Sequence, residues 1–351
     1  MLPSYALGQA NGKLQIHFMD VWQGDGAILI SPEGDTVLFD NGNYKDCDRP
    51  VNYLKRLGVE DIDYHIASHY HADHIGCTEE VLDDFPLTTA AYDRGGNYRS
   101  KSYDEYVKAV GTLRRTATAG MQIKLDEGAA QQVLIDIPAL SGAGIETVNE
   151  NDLSVVAVVR FGNFDAVIAG DLSGFDTGYY EDIETMVAPK VGQVEVYKVN
   201  HHGSRYSSNS TWLKTLNPRI GVISVGDHNG YGHPTRECLE RLHAYGVKTF
   251  WTQDGDGDTD PAPGTDVVGG DIVVEYELGD DYFTVTHSGG QVATFPIWQQ
   301  DDAPPAKYAW SKRSKLYHYA ECRYVKNIKP KNFQQGDSPP QGKSQHDECP
   351  K

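Results

Sequence analysis

The sequence predicts an α/β fold in which two β-sheets form a sandwich with helices on the outside. Three observations support this prediction. Strand and helix patterns alternate in the amino-terminal part, a second β-rich half follows, and each half places Asp and His residues directly after strand ends. A change of charge near the carboxyl terminus indicates that a separate small module follows the sandwich.

The first half has the pattern strand–turn–strand–helix–strand. Residues 14–30 are β-rich around a QGDG turn, and residues 36–39 form a short apolar run that stops at Asp-Asn-Gly. Helical spacing covers residues 49–57, and a strand is expected over residues 64–68. In the second half we expect four strands, at residues 154–161, 166–169, 194–199 and 220–225.

Residues 91–120 interrupt this rhythm, because they are rich in tyrosine and arginine and include a predicted helix. One interpretation is a solvated surface insertion. The other is a lid over the active site, whose aromatic and cationic side chains bind a phosphate-bearing substrate. The residues concerned are Tyr92, Arg94, Tyr98, Arg99, Tyr103, Tyr106, Arg114 and Arg115.

Composition restricts the class of protein. The chain has 351 residues, of which 39% are hydrophobic and 23% charged, as expected for a folded, soluble protein. No stretch approaches the roughly 18 apolar residues of a membrane span, so membrane insertion is not expected. The amino terminus does not resemble a signal peptide, which favours the cytoplasm, or secretion if such a peptide has been removed. Five scattered cysteines suggest reduced thiols or metal ligands rather than a disulfide framework.

Charge is unevenly distributed along the chain. The net charge of −19 argues against a surface that attracts nucleic acid uniformly. Residues 303–351 nevertheless contain ten Lys/Arg against four Asp/Glu, which leaves 21 against 46 in residues 1–302. Together with the linker sequence QQDDAPP, this predicts a hydrolase domain over residues 1–302 and a basic module over 303–351.

The cluster at residues 69–74 carries the strongest chemical signal. His69, His71, Asp73 and His74 lie within six residues directly after a predicted strand. Imidazole and carboxylate are the ligands expected for zinc, with manganese or iron as alternatives. Because neighbouring residues in this turn point in different directions, two ions bridged by another carboxylate fit better than one. Asp171, at another strand end, is the candidate bridge.

At this point the chain resembles a known family. HYHADHIG matches the HxHxDH signature of the metallo-β-lactamase superfamily, a four-layer αβ/βα sandwich with a dinuclear metal site at its edge. IHFMDVWQGDGAILI with VLFDNG is similar to the start of the hydrolase domain of ComEC-type competence proteins. NDLSVVAVVRFG, AVIAGDL, VYKVNHHGSRYSS and YGHPT resemble the later motifs of that group, so the resemblance covers most of residues 14–251.

The resemblance implies a site of two zinc ions, with manganese as an alternative. His69 and His71 would bind the first ion, Asp73 and His74 the second, and Asp171 both. His201 would complete the second ion, His202 would hold a ligand or contact substrate, and Asp40 would orient a ligand.

Two features depart from the family pattern. Trp22 stands where ComEC-type proteins have Gly, and residues 149–154 lack the further His that completes the first ion in many members. A water or Asn151 would then fill that position, or the first site would be weak. The sequence has no transmembrane segments, so the resemblance is to a free-standing catalytic domain.

The implied mechanism is hydrolysis by metal-bound hydroxide. A bound ion lowers the pKa of its water towards 7, and this hydroxide, held near Asp73, would attack phosphorus or a carbonyl carbon. His233 is the candidate for contacting the oxygen or protonating the leaving group. Asn151 and Ser204 are candidate phosphate contacts.

The carboxyl-terminal module contains two spaced pairs of potential zinc ligands. His318 and Cys322 form one pair, and His346 and Cys349 the other. The pattern resembles an Ada-type zinc-binding module with His in place of the first Cys of each pair, which implies one structural zinc. The basic side chains of the module would suit a phosphate backbone, or would dock on the acidic main domain.

Three functions remain open from the sequence. The first is a metal-dependent phosphodiester hydrolase, nuclease-like, acting on DNA or RNA. The second is a hydrolase of small phosphodiesters such as phosphocholine esters. The third is a non-catalytic module that binds nucleic acid or another partner.

Overall fold

The structure is a computed structural model that describes most of the chain. The chain forms two compact units, residues 1–297 and 298–351. The described residues are 10–138, 147–257, 259–261, 265–287, 290–298, 308–319, 329, 332–336, 340 and 343–345. The predicted domain boundary between residues 302 and 303 lies outside them. Among the described residues, no helix has both the length and the apolar character needed to span a bilayer.

The first unit contains two large sheets. Its strands, in chain order, are β1 (Leu14–Phe18), β2 (Gly26–Ile30), β3 (Thr36–Asn41), β4 (Ile62–Ile66), β5 (Leu87–Asp93), β6 (Arg114–Thr116), β7 (Met121–Leu125), β8 (Val133–Ile137), β9 (Ala157–Phe161), β10 (Phe164–Ile168), β11 (Val196–Lys198), β12 (Ile220–Ile223), β13 (Lys248–Trp251), β14 (Thr265–Val267), β15 (Ile272–Tyr276), β16 (Tyr282–His287) and β17 (Val292–Pro296). Its helices are α1 (Asp48–Leu57), α2 (Ala72–Ile75), α3 (Thr78–Asp84), α4 (Lys101–Val110), α5 (Ile183–Val191), α6 (Ser210–Leu216) and α7 (Arg236–Ala244).

These elements form four layers. The first sheet has the order β17-β16-β15-β1-β2-β3-β4-β5-β6, and the second has the order β14-β13-β12-β11-β10-β9-β8-β7. One apolar core joins the inner faces of both sheets, for example through Leu29 and Val159. The alternate residues of the same strands face outwards, so Ile28 packs with α1 and Val158 packs with α5 to α7. The predicted αβ/βα sandwich is confirmed.

Parallel pairing places the functional loops at one edge of each sheet. In the first sheet β3 runs parallel to β4, and in the second sheet β10, β11 and β12 run parallel to one another. The carboxyl ends of neighbouring parallel strands open at the same edge, where ligands are typically held in α/β sheets.

Several aromatic and cationic side chains of the tyrosine- and arginine-rich insertion support the fold. Tyr103 and Tyr106 are buried on α4 and pack with Tyr70 of the histidine cluster. The Arg114 guanidinium donates to the Asp93 carboxylate at 2.6 Å. Most of the cations and aromatic rings in this segment therefore have partners within the fold.

A disulfide joins Cys47 to Cys77, with the Cα atoms 5.1 Å apart. This corrects the expectation that these cysteines are reduced thiols or metal ligands. The bridge connects the segment before α1 to the start of α3, across 30 residues. The two thiols are distant in sequence and no short motif marks them, so only tertiary packing reveals the pair.

We expect reduction of this disulfide to lower the free energy of unfolding by about 3 to 4 kcal/mol, because the bridge closes a long loop in the unfolded chain. Urea unfolding with and without dithiothreitol measures the effect. A double variant, Cys47→Ser with Cys77→Ser, is the control and should be insensitive to the reductant. Equal midpoints for oxidised and reduced wild-type protein would contradict the pairing.

The second unit contains a four-stranded sheet in the order β20-β18-β19-β21. Its strands are β18 (Tyr308–Ser311), β19 (Leu316–Tyr319), β20 (Phe333–Gly336) and β21 (Ser344–Gln345). The backbone of His318 lies in β19, whereas Cys322, His346 and Cys349 lie outside the described residues. The structural zinc site remains a prediction.

Candidate metal centre

Buried histidines and carboxylates from both sheets meet where the parallel strands end. The loop after β4 supplies the HYHADH cluster, the turn after β10 supplies Asp171, and the loop after β11 supplies His201 and His202. Among the described residues, groups of potential ligand atoms lie within 4.8 Å of one another. Two of these groups are His69–His74–Asp171 and Asp73–His74–His202.

Asp171 divides the site into two sides. Its Oδ1 atom lies 3.3 Å from His74 Nε2 and 3.4 Å from His202 Nε2. Its Oδ2 atom lies 4.0 Å from His69 Nε2 and 3.7 Å from His201 Nε2. One carboxylate therefore faces two pairs of imidazoles through different oxygens, which is the arrangement expected of a ligand shared by two ions.

The donor atoms on one side of the centre suit a cation. His74 Nε2, His202 Nε2 and Asp171 Oδ1 are all buried and have no hydrogen-bond partner among the described residues. Buried polar atoms are nearly always paired, so three unpaired atoms that converge on one point indicate a missing ligand. Imidazole nitrogen and carboxylate oxygen are the donor set of zinc and related divalent ions.

Asp40 holds His74 in its orientation. It is the penultimate residue of β3 and has a left-handed backbone (φ 48°), and its Oδ2 lies 2.8 Å from His74 Nδ1. The same carboxylate accepts hydrogen bonds from the Ser68 backbone N–H and hydroxyl, both at 2.7 Å. With the proton held on Nδ1, Nε2 of His74 is left free to bind a metal ion.

His202 is oriented by comparable contacts. Its Nδ1 lies 2.9 Å from the Ser224 carbonyl oxygen and 3.1 Å from Asp25 Oδ1. The Lys198 ammonium lies 2.8 Å from the same Asp25 oxygen and balances its buried charge. The Nε2 atom of His202 is thereby directed towards Asp73 Oδ2, at 3.5 Å, and towards Asp171.

The two adjacent histidines face different oxygens of Asp171. The resemblance assigned His201 to the ion of Asp73 and His74, but the geometry places His202 there and His201 beside Oδ2 of Asp171. The reason is local backbone geometry. Both histidines have left-handed φ angles (52° and 51°), so the chain turns sharply after β11 and the two rings point to different sides.

The side of the centre that faces Oδ2 of Asp171 contains three imidazoles. His69 Nε2 and His71 Nδ1 lie 3.0 Å apart, and Ser68 Oγ lies 3.0 Å from Nδ1 of His69. Asn151, the residue expected to compensate for the missing histidine, has its Nδ2 atom 3.1 Å from His201 Nε2. Asn151 therefore contacts His201 on the Oδ2 side of Asp171.

His233 lies beside the centre, whereas Ser204 makes a hydrogen bond within its own loop. The His233 ring stands 5.4 Å from the ring of His201, and burial lowers the pKa of His233 to about 3, so it is neutral at pH 7. The Ser204 side chain is buried and its oxygen accepts from the Tyr206 backbone N–H at 3.3 Å. Ser204 therefore stabilises its own loop through this hydrogen bond.

The centre concentrates negative charge in a buried volume. Burial opposes protonation of His202, but the carboxylates of Asp171 and Asp25 outweigh it and raise the pKa of His202 to about 10. Burial likewise opposes ionisation of Asp171, but the neighbouring histidines hold its pKa well below the usual range. A bound divalent cation would supply the positive charge that these protons otherwise provide, so metal binding releases protons.

Glu150 supports the histidine loop from outside the centre. Its Oε1 accepts from the Tyr70 backbone N–H at 2.9 Å, and both of its oxygens bind the Arg94 guanidinium. Arg94 in turn lies over the Tyr70 ring, with its guanidinium carbon 4.1 Å from the ring centroid. The residue between His69 and His71 is therefore fixed through both its backbone and its ring.

Glu184, on α5, supports the second histidine loop. It is fully buried, and its oxygens accept from Asn200 Nδ2 at 2.8 Å and from the backbone N–H groups of Ser208 and Asn209 at 2.6 Å each. Asn200 directly precedes His201. Burial raises the pKa of Glu184 to about 7, against the effect of these three donors.

We expect Glu184 to make stability fall as pH rises from about 5 to 8. Because the pKa of this carboxyl is raised, the folded state retains a proton that the unfolded chain has lost. The stabilisation that this proton gives is complete below pH 4.5 and disappears above pH 7. Urea unfolding of wild type and of Glu184→Gln in a chelator measures the effect. The difference between their free energies of unfolding should change by up to about 3 kcal/mol across this pH range. Parallel pH profiles would contradict this expectation.

Sequence reasoning missed four supporting residues: Asp25, Glu150, Glu184 and Lys198. Asp25 lies in the QGDG turn and Lys198 in the VYKVNHHGS segment. Their position within these motifs was the sequence signal that could have identified them as supporting residues. Glu150 and Glu184 carry no such signal, because their partners are distant in sequence and are brought close only by the fold.

Comparison with known proteins agrees with this architecture. The sequence model of the family described as Metallo-beta-lactamase superfamily matches residues 26–228. That range contains every candidate ligand of the centre and extends over more than half of the chain.

Competence proteins are among the curated relatives. The chain is 24% identical over 256 residues to ComE operon protein 3 of Bacillus subtilis, covering 68% of this chain and 32% of that protein. It is 28% identical over 240 residues to Recombination protein 2 of Haemophilus influenzae, covering 66% and 26%. The chain thus spans between a quarter and a third of the length of these relatives. A solved structure, the metallo-beta-lactamase fold protein YhfI from Bacillus subtilis, aligns with a TM-score of 0.44 and 13% identity over 69% of this chain and 98% of that one.

Proposed function

Because the chain belongs to the metallo-β-lactamase superfamily, a group of metal-dependent hydrolases, we propose that its first unit is a phosphodiester hydrolase acting on nucleic acid. The observation that carries the proposal is the shared carboxylate of Asp171 between two groups of imidazoles. Two ions held a few ångströms apart are typical of phosphatases and nucleases. The names of the relatives, competence and recombination proteins, favour nucleic acid as the substrate.

The donor geometry supports a division of ligands between two ions. We assign His69, His71 and His201 to the ion on the Oδ2 side of Asp171. We assign Asp73, His74 and His202 to the ion on the Oδ1 side. Zinc is the expected metal, with manganese as the alternative. When bound, the ions would make water nucleophilic at neutral pH and offset charge on the phosphate oxygens.

The residues of the chain have distinct tasks in this scheme. Asp40 and Asp25 keep protons on Nδ1 of His74 and His202, so that both rings present Nε2 to the centre. His233 is neutral at pH 7, so it would donate a hydrogen bond to a phosphate oxygen rather than protonate the leaving group. Asn151 would hold His201 in place rather than contact substrate.

The disulfide bears on where the protein works. Disulfides persist in oxidising compartments and are rare in the cytoplasm. The Cys47–Cys77 bridge therefore favours an extracytoplasmic location over the cytoplasmic one expected from the amino-terminal sequence.

Cleavage assays test the proposed function. Protein loaded with Zn²⁺ or Mn²⁺ is incubated with labelled single- and double-stranded DNA and RNA, and separately with bis-p-nitrophenyl phosphate and with a phosphocholine ester. We expect hydrolysis that His69→Ala and Asp73→Ala each reduce by at least about a hundredfold. His243→Ala, an exposed histidine on α7, is the matched control and should retain activity. Cleavage that survives in His69→Ala, or cleavage of a phosphocholine ester alone, would overturn the proposal.

A further inference from the structure

A group of five tyrosines surrounds the candidate metal centre. Three of them contact candidate residues of the centre through their rings: Tyr98 lies 6.0 Å from His71, Tyr180 lies 5.8 Å from His201, and Tyr231 lies 6.0 Å from His233 between ring centroids. Two more extend this group beside Tyr180. We call the set Tyr98, Tyr179, Tyr180, Tyr206 and Tyr231 the tyrosine rim.

The rim presents aromatic surface to solvent. Tyr231 is 72% exposed, Tyr179 is 63% exposed and Tyr206 is 36% exposed. By contrast, Tyr103 and Tyr106 near the same loop are buried. Exposed aromatic rings grouped around a catalytic centre are typical of a binding surface, because large apolar patches on a soluble protein are otherwise uncommon.

The rings are arranged to offer several separate faces. Tyr180 stands 5.0 Å from both Tyr179 and Tyr206, at interplanar angles of 75° and 31°. Tyr231 stacks on His233 at an angle of 21°, on a different loop from that group, and Tyr98 lies beside His71. A cage for one quaternary ammonium requires rings that enclose a single point, whereas these rings are spread over several loops and are open to solvent.

The charges at the centre also bear on which ligand the rim binds. The carboxylates of Asp25, Asp40, Asp73 and Asp171 lie at the centre. Arg99 is exposed beside Tyr98, and the exposed Arg205 side chain lies 3.5 Å from Glu237. Duplex DNA offers mainly phosphates to a surface, and aromatic rings gain little from phosphates. A single strand also offers base faces, and these stack on aromatic rings.

We propose that the tyrosine rim binds unstacked bases of single-stranded nucleic acid on both sides of the phosphate held at the centre. This inference rests on the proposed function, which it deepens by naming the form of the substrate. Stacking accepts any base, so the rim confers preference for single strands without sequence specificity.

Equilibrium binding tests the rim separately from catalysis. Metal-loaded protein containing both units is titrated at low temperature into labelled oligothymidylate, and into an abasic oligomer of equal length and charge. Gel analysis after each titration verifies that the probes are intact. We expect wild type to bind oligothymidylate at least about tenfold more tightly than the abasic oligomer. The double variant Tyr179→Ala with Tyr231→Ala should lose most of this preference.

Tyr282→Ala provides the matched control, because Tyr282 is 55% exposed on β16, a strand that contributes no candidate ligand. It should keep the wild-type preference. Equal wild-type affinity for the two oligomers, tighter binding of a duplex, or an undiminished preference in the double variant would overturn the rim. Hydrolysis of bis-p-nitrophenyl phosphate separates the two proposals. Hydrolysis without base preference refutes only the rim, whereas base preference without any hydrolysis supports the rim and refutes the proposed function.

Discussion

Replacing Asp171 with Asn should reduce phosphodiester hydrolysis by at least about a thousandfold while the protein stays folded. The carboxylate presents one oxygen to His74 and His202 and the other to His69 and His201. An amide would keep one acceptor oxygen and turn an N–H₂ group, which cannot bind a cation, towards one of the two pairs. It would also remove the negative charge shared by both ions.

The measurement is kcat/KM on bis-p-nitrophenyl phosphate for metal-loaded wild type and Asp171→Asn, with circular dichroism as the test of folding. Asp83→Asn, an exposed carboxylate on α3, serves as the matched control and should be fully active. An Asp171→Asn variant that is folded and retains more than a tenth of the wild-type rate would exclude a bridging role.

Replacing His202 with Ala should reduce hydrolysis by about a hundredfold to a thousandfold and should weaken binding of one ion. His202 Nε2 lies 3.5 Å from Asp73 Oδ2 and 3.4 Å from Asp171 Oδ1, and its loss would leave the Asp25–Lys198 pair without the ring that it orients. His201→Ala should instead weaken the ion bound by His69 and His71.

Metal content after dialysis, measured for both variants beside wild type, distinguishes these assignments. Each single variant should retain one ion fewer than wild type, and the double variant should retain none. The assignment made from family resemblance predicts instead that the His202→Ala variant retains both ions. If His202→Ala keeps full activity and metal while His201→Ala is inactive, the exchanged roles inferred from the backbone turn are incorrect.

The fold was predictable because its signals are local and repeated. Apolar alternation in β1 and β2 and helical spacing in α1 are properties of single segments, and the structure shows these elements within a few residues of their predicted bounds. The strands at residues 272–296, which extend the first sheet, were not predicted. Their role depends on the pairing of β15 with β1, whose residues Ile272 and Phe18 are far apart in sequence.

The sequence predicts that the ligands of the centre cluster, but not which ligand faces which. The spacing of His69, His71, Asp73 and His74 indicates a metal without any structure. Which of His201 and His202 faces Asp73 depends on two left-handed backbone positions that residue types do not disclose. The Tyr- and Arg-rich segment shows the same limit, since composition could not reveal that Arg114 is paired with Asp93.

The central claim is that this centre hydrolyses phosphodiesters only when it holds metal, and the rate of bis-p-nitrophenyl phosphate hydrolysis in chelated and reconstituted protein tests it most directly. We predict no hydrolysis after chelation, recovery on addition of Zn²⁺ or Mn²⁺ to wild type, and no recovery in Asp171→Asn. Unchanged hydrolysis in the chelated protein, or none with either metal, would contradict the account.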